Sequence, residues 1–474
     1  MTVPFVRVDQ VDGALALLPA DTDQITCVVG SSTLAPPNTL LAFRSLAKLR
    51  TIAGYGPGVE ACADQLAQNG VAYLCSPTTD VAGVAGTPVE TGTSPAIGST
   101  GTPNDDYRIV VTITKAGVLG TSQCTISLDG GNTVPAAIAT AATIVLANTG
   151  VTITMAAGTY NVGDACTIVC QAPYFSPTNF AAAGAAILAD PGKREFGTML
   201  VAGKAHGADA ASQSTAAVAM CVAGGTFRAL AQTTYGRYFR VVVEAPDVTA
   251  AAVVTALVST VDAGALLCAS PMDVQSPISQ LVHKRPGGGI YCARIGSITP
   301  QKHPGEVRQG KGNGGPLPSR VRAIYFNDDD IATLDAARCI TVRTIVNKTG
   351  FYFTNGPTLD AVGADESEHQ FCRVMDLASK ITRDALNEWL NSDLAIKRDG
   401  TGRLTDVQAD VIDADITAKL RAATVDTGYV VDAVGKVDRT INVLGTSSLE
   451  GDTGVLRKGY AKFISWRVGF TKGS

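Results

Sequence analysis

Thr198-Met-Leu-Val-Ala202, Tyr238-Phe-Arg-Val-Val-Val-Glu244 and Ala265-Leu-Leu-Cys-Ala-Ser270 are short apolar runs separated by two helix-length segments, Ala208–Ala231 and Val248–Val261. The runs are rich in Val and Leu and lack polar alternation, the pattern of strands buried on both faces. Strands and helices alternating at this spacing predict a mainly parallel sheet with crossover helices. Upstream, Phe180–Leu188 reads as a helix. Ile25-Thr-Cys-Val-Val-Gly30 reads as a buried strand, followed by the turn Ala35-Pro-Pro-Asn38. Helices are expected at Leu40–Leu49 and Val59–Gln68, and a strand at Val71–Cys75 after the stop Asn69-Gly70. Segments 14–80 and 174–290 are therefore read as one discontinuous α/β domain.

The stretch between them has a different grammar. Gly, Thr, Ser and Pro crowd 82–104, and then β-branched alternation marks strands at Tyr107–Thr114, Cys124–Leu128, Ala142–Leu146, Val151–Met155 and Cys166–Val169. Asp129-Gly130-Gly131 signals a hairpin turn. Residues 81–173 form an inserted all-β, sandwich-like domain. After an irregular linker at 291–319, a C-terminal α+β domain is expected over 320–459. It would hold the helix Ile331–Ala337 behind an Asp328–Asp330 cap and the strand Cys339–Val346. A long helix at Glu366–Leu390 carries the stripe Phe371, Val374, Ala378, Ile381, Ala385 and Trp389. A second amphipathic helix covers Asp406–Ala422, with strands at Tyr429–Val434 and Thr440–Leu444. The ends, 1–13 and 460–474, read as extended strands. In the latter, Ile464, Trp466, Val468 and Phe470 alternate with Ser465, Arg467 and Gly469.

Composition narrows the function classes. The 474-residue length suits about three domains. A formal charge of −4 without a basic stripe argues against direct nucleic-acid binding. With 46% hydrophobic and 17% charged residues, the chain is expected to fold rather than stay disordered. No uninterrupted apolar run reaches the ~18 residues of a membrane span, and the N-terminus lacks a signal peptide's basic start and apolar core. A soluble protein made without export, with no membrane insertion, is the expectation. The eleven cysteines are odd in number and form no CxxC pair; they read as small buried hydrophobes in a reducing compartment.

Chemistry finds little purchase. Gly305-Glu-Val-Arg-Gln-Gly310-Lys311-Gly312 imitates a phosphate-binding loop, yet Gly312 stands where Ser or Thr must hold magnesium, and neither flank reads as strand or helix. It reads as a flexible basic loop. Of the four histidines, only His369 has acidic neighbours in sequence, Glu366 and Glu368, and acids at a helix start favour the positive dipole end. No nucleophile elbow, Cys/His dyad or dinucleotide fingerprint occurs. Catalytic, metal and cofactor residues are all predicted to be none, and an enzyme is disfavoured.

The order of these pieces resembles the contractile tail sheath family of bacteriophages and related injection machines. Three stretches carry the resemblance. The first is Ile25-Thr-Cys-Val-Val-Gly-Ser-Ser with Ala53-Gly-Tyr-Gly-Pro-Gly and Gln68-Asn-Gly-Val-Ala-Tyr. The second is Asp330-Ile-Ala-Thr-Leu-Asp-Ala-Ala-Arg-Cys-Ile-Thr-Val-Arg. The third is the long helix with Trp389, an amphipathic helix, two strands and a last strand ending Phe-Thr-Lys-Gly. The sequence departs from the family after Asn69-Gly70, where the usual apolar-Arg strand reads Val-Ala-Tyr-Leu-Cys.

The resemblance implies a subunit that polymerises in stacked rings or a helix, hexameric per ring, and contracts to drive a tube through a host envelope during genome ejection. Implied partners are further copies of itself, the tail tube protein, and baseplate and tail terminator proteins; the implied location is the virion tail, after assembly in the host cytoplasm. A sheath of a phage-derived injection system or bacteriocin is the alternative, then a capsid decoration protein or adhesin. Elementary physics points the same way. Apolar strand-prone termini are an aggregation hazard in a monomer. They make sense as arms that add strands to neighbouring sheets through Val3, Phe5, Val6, Val8, Phe463, Ile464, Trp466, Val468 and Phe470, unless both pair within their own subunit. Lys397, Arg398, Arg403, Asp410, Asp413, Lys419 and Arg421 are candidates to face the tube, or else a solvated helix face. The insert is expected to project outward.

Overall fold

The computed structural model describes residues 22–262, 264–309 and 314–459. A seven-stranded sheet runs in the order Leu40–Phe43, Ala72–Cys75, Thr26–Gly30, Thr198–Ala202, Arg240–Glu244, Ala265–Cys268, Cys339–Ile340. All neighbours pair in parallel except the first, which lies antiparallel to Ala72–Cys75. The three quoted runs are its centre, and their residues are buried on both faces. Alternation along each strand divides the core. Cys27, Val29, Met199, Val201, Val241 and Val243 pack beneath the helices Pro177–Leu188, Ala210–Tyr235 and Ala250–Leu257. Val28, Leu74, Leu200, Val242 and Leu266 pack beneath Leu46–Ala53, Pro57–Asn69 and Gly288–Ser297. Covered faces of this kind are what a parallel sheet requires.

Helix Ala210–Tyr235 is long and apolar enough to cross a membrane by length and composition. Its Ala217, Met220, Cys221, Phe227 and Ala231 are instead buried in the sheet's core. All eleven cysteines are buried and none is in a disulfide, as their apolar settings predict. Burial pushes the Cys75 thiol up to about 12, which leaves it inert.

Several local expectations differ from the structure. Leu40–Leu49 is not one helix but the edge strand Leu40–Phe43 followed by helix Leu46–Ala53, because the ladder to Ala72–Cys75 captures the first residues. The cap before Asp328–Ala336 is Asn327, whose side chain accepts from Asp330 N; Asp330 returns the bond to Asn327 N at 3.4 Å. Thr440–Leu444 is not a strand: Asn442 caps the short helix Val443–Thr446, and the partner strand is Gly451–Arg457. Asp129-Gly130-Gly131 does not close a tight hairpin. The chain returns only at Ile138–Ala139, pairing with Gln123 and Cys124.

Between Ala72–Cys75 and Pro177–Leu188 lies the β module. Its larger sheet pairs Arg108–Lys115 with Gln123–Ser127 and Ala165–Gln171; its smaller sheet is Thr143–Leu146, Val151–Met155 and Ile97–Gly101. Ile109, Val111, Ile113, Cys166 and Ile168 from one and Ile97, Val151, Ile153 and Met155 from the other share a single core, as in a sandwich.

The chain divides into two units between Arg373 and Val374. The C-terminal domain was expected from 320. The structure instead keeps Val321–Ile324, Asp328–Ala336 and Cys339–Ile340 in the first unit, because Cys339 and Ile340 extend the seven-stranded sheet beside Leu267 and Cys268. In the second unit, helix Asp406–Leu420 covers the antiparallel pair Val430–Val437 and Gly451–Arg457. Ile412, Ile416 and Leu420 form its core with Val374, Ala378, Ala385, Val430 and Ala433.

Candidate functional site

The sheet's strand order reverses between Thr26–Gly30 and Thr198–Ala202, the kind of switch point at which open α/β sheets present a crevice. Here Gly30 and Gly58 make the approach possible: a Cβ on Gly58 would meet the Gly30 carbonyl oxygen at 2.6 Å and its carbon at 2.7 Å. The start of helix Pro57–Asn69 is thereby seated on the strand end, with Gly58 N donating to Ser31 O at 3.0 Å.

That crevice holds buried charge rather than an open cleft. Asp64 receives Arg285 at 2.8 Å and Arg320 at 3.5 Å. Burial pushes its carboxyl up, and the two guanidiniums pull the other way. Glu244 accepts from the backbone N–H of Gly203 at 2.8 Å and of Gly289 at 3.2 Å; burial raises its carboxyl against those bonds. Asp106 pairs with Lys204 at 3.3 Å and accepts from Ala172 N at 2.9 Å. The β module is fastened here as well. His283 Nδ1 lies 2.9 Å from the Asp106 carbonyl oxygen, and Asp129 Oδ2 accepts from Val282 N at 3.2 Å.

Glu60, Asp105 and His283 also meet in this junction, each buried, with one ligand atom apiece within 4.8 Å of the others. Sequence spacing gave no sign of this set, since its members belong to a helix, the root of the β module and the strand Val282–Arg285. The acidic neighbours that spacing did single out for His369 behave otherwise. Glu366 accepts a fork from Arg240 at 2.8 and 3.0 Å and is approached by Arg228 at 3.5 Å. His369 Nδ1 pairs with the Tyr291 hydroxyl at 2.9 Å, and burial, with Arg373 nearby, pushes its imidazole well below the usual range. It stays neutral.

The other sequence-predicted residues separate cleanly. Val3, Phe5, Val6, Val8, Phe463, Ile464, Trp466, Val468 and Phe470 lie outside the described residues, as do Gly310, Lys311 and Gly312 of the basic loop. In the second unit, Lys397 pairs with Asp406 at 2.9 Å, and Arg421 with Asp432 at 2.9 Å. Lys419 bridges Glu388 at 2.7 Å and Asp415 at 3.1 Å. Asp410 and Asp413 share Arg439 at 2.5 and 3.0 Å. Arg398 and Arg403 are exposed on the loop before the helix. These charges form solvent-screened surface pairs that add little to stability.

The parallel sheet carrying a β module, with a separate helix-on-strand-pair unit after it, has the fold of contractile-sheath assemblies. A chain of the contracted anti-feeding prophage baseplate matches with TM-score 0.53 and 12% identity over 99% of this chain and 98% of that one. A chain of the contracted PVC sheath complex, from an extracellular contractile injection system, matches with TM-score 0.51 and 10% identity over 99% and 98%. A chain of the six-fold symmetrised anti-feeding prophage baseplate gives 0.50, 12% identity and full coverage of both. The expected tail-sheath likeness is thus borne out as fold. The chain belongs to the DUF2586 family, whose N-terminal domain matches residues 3–357. No curated protein matches the sequence.

Proposed function

We propose that the protein is a structural sheath subunit that polymerises helically around a tail tube and contracts to drive that tube forward. The observation supporting this reading is the end-to-end likeness of fold to a chain of a sheath complex captured contracted. The partners on this reading are further copies of the chain, a tube protein, and baseplate and terminator proteins, and its place is the tail of the assembled particle. Because the likenesses described above are to the anti-feeding prophage and PVC assemblies, a contractile injection system is a second home for the same role.

In this reading the terminal arms do the linking. Residues 2–12 and 460–472, if extended, reach roughly 35–45 Å at about 3.3 Å per residue, enough to cross to a neighbour. Burying Ile464, Trp466, Val468 and Phe470 there contributes on the order of 1.5–3 kcal/mol each. A head-to-tail contact that does not close generates a helical polymer. The exposed ion pairs around Lys397, Asp410, Asp413, Lys419 and Arg421, with Arg398 and Arg403, would face the tube and exchange partners together when the sheath shortens.

Negative-stain microscopy of the purified full chain tests the role directly, with hollow tubes as the expected product. Truncation after Gly459 should leave a folded chain that stays monomeric where the full chain polymerises. Tubes from the truncated chain would refute arm exchange. A full chain that remains monomeric at every concentration would refute the sheath role.

A further inference from the structure

Most of the buried charge at the root of the β module is balanced by a named partner. Asp64 has two arginines, Asp106 a lysine, and Glu244 two backbone amides. Glu60 and Asp105 differ. Among the described residues, no lysine or arginine lies within ion-pair distance of either, although Glu60 is 3% and Asp105 6% exposed. Glu60 Oε2 is buried without any hydrogen-bond partner. An uncompensated carboxylate in such a place costs several kcal/mol, so the group must take up either a proton or a counter-charge.

The third member of the cluster is an imidazole. His283 is 3% exposed, with Nδ1 2.9 Å from the Asp106 carbonyl oxygen and Nε2 3.3 Å from the Ser279 hydroxyl. The Asp106 carbonyl can only accept, so Nδ1 carries the proton and fixes the ring, as ligating histidines require, and Nε2 is the nitrogen left to ligate, exchanging the Ser279 hydroxyl for the ion. Ligand atoms within 4.8 Å of one another have a common centre at most about 2.8 Å from each, and a closing movement of about 0.6–0.8 Å would bring all three to zinc's coordination distances of about 2.0–2.2 Å. Asp105 also borders a small cavity of about 20 Å³ beside Asp64, Glu244 and Arg285, which has room for one water.

We propose that Glu60, Asp105 and His283 bind a divalent cation of the zinc class, which pins the β module to the α/β core. Two carboxylates and an imidazole match zinc's borderline preference better than calcium's all-oxygen shell. Two negative charges would be neutralised where, among the described residues, no lysine or arginine makes an ion pair and Arg285 acts on Glu60 only from further off. The ion would join the helix Pro57–Asn69, the β-module loop between strands Ile97–Gly101 and Arg108–Lys115, and the strand Val282–Arg285, segments that the chain itself joins only through long connections.

The test uses the full chain, grown with zinc, analysed for metal by plasma mass spectrometry, then stripped with EDTA and titrated with zinc chloride. About one zinc per chain is expected, with a melting temperature that rises as zinc is restored, since a ligand of the native state stabilises it. Glu60→Gln, which keeps the side chain's shape, should weaken zinc by more than the ~10–100-fold of an outer-shell change. Asp105→Asn should do the same. If neither variant folds, the metal content and zinc-dependent melting of the unaltered chain decide alone. A chain that holds no stoichiometric zinc and melts identically with and without it would overturn the proposal. So would calcium giving the same shift at equal concentration, or Glu60→Gln binding zinc as tightly as the original.

Discussion

Replacing Arg373 with methionine removes the most deeply buried ion pair described in the first unit. Arg373 is 1% exposed and Asp23 3%. Arg373 Nη2 and Nε both donate to Asp23 Oδ2, at 2.5 and 3.0 Å. The same guanidinium donates to the carbonyls of Ile298 at 3.1 Å and Thr299 at 3.4 Å. The substitution therefore takes the guanidinium away from a buried carboxylate and removes two further hydrogen bonds at once. Breaking a buried pair from one side costs about 3–5 kcal/mol. Methionine fills much of the volume, so the cost is electrostatic rather than a cavity.

Urea unfolding followed by circular dichroism at low protein concentration measures the loss in the first transition. A double-mutant cycle with Asp23→Asn then isolates the pair. Each single change should be strongly destabilising, while the double variant should recover on the order of 1–3 kcal/mol, because both members of the pair have gone together. Singles that each cost under about 1 kcal/mol, and add without coupling, would show that the pair is not balanced as its geometry implies. The pair matters beyond stability on the proposed role. Asp23 belongs to the first described turn, Thr22–Gln24, immediately after the N-terminal segment, and Arg373 is the last residue of the first unit.

Two further outcomes follow from the same geometry. Burial alone would push the Glu366 carboxyl up, but Arg240 and Arg228 outweigh it and hold it below the usual glutamate range. Its contribution is therefore present above the unfolded value of about 4.3 and lost as pH falls through the lower folded value. Glu366→Gln should be less stable than the original at pH 7, and thermal melts should converge as pH drops below about 4; a gap constant with pH would contradict the pairing. Gly58→Ala puts a methyl 2.6 Å from the Gly30 carbonyl oxygen, a backbone atom that cannot swing away. A loss of about 1–3 kcal/mol is expected despite alanine's better helix propensity, and a gain in melting temperature would refute the close approach.

The sheet's centre was legible because Thr198–Ala202, Arg240–Glu244 and Ala265–Cys268 are buried on both faces, and burial on both faces leaves a continuous apolar run. Leu40–Phe43 was not, since Leu40, Phe43 and Ala47 also satisfy a helical repeat and only the distant Ala72–Cys75 ladder decides between the two. Gly451–Arg457 carries two glycines and an aspartate, residues poor in strand propensity, and is held in register by Val430–Val437. Gly435 in that partner strand lets Ile416 approach so closely that a Cβ would sit 2.4 Å from its methyl carbon. The charged junction was illegible for a different reason. Glu60, Asp105 and His283 are neighbours only because the β module folds back onto the sheet's switch point, and no local spacing encodes that return.

The placement of the charges bears on how such a chain could move as part of an assembly. A subunit that slides past its neighbours must keep its own shape, so contacts within it should resist solvent and salt. In the first unit the pairs Arg373–Asp23 and Arg285–Asp64 are buried and join residues far apart in sequence; removing one partner is expensive, and screening is slight. In the second unit, Lys419–Glu388, Arg421–Asp432 and Arg439–Asp410 each expose at least one partner by half or more of its side chain. Their partners can be exchanged for water, salt or an opposing surface at little net cost. If the second unit is the one that meets the tube, its grip should weaken with ionic strength while the subunit's fold does not. Raising salt from low to about 1 M shortens the Debye length to about 3 Å and should release the tube from the sheath with the far-ultraviolet spectrum unchanged. Release that required unfolding would place the gripping surface elsewhere.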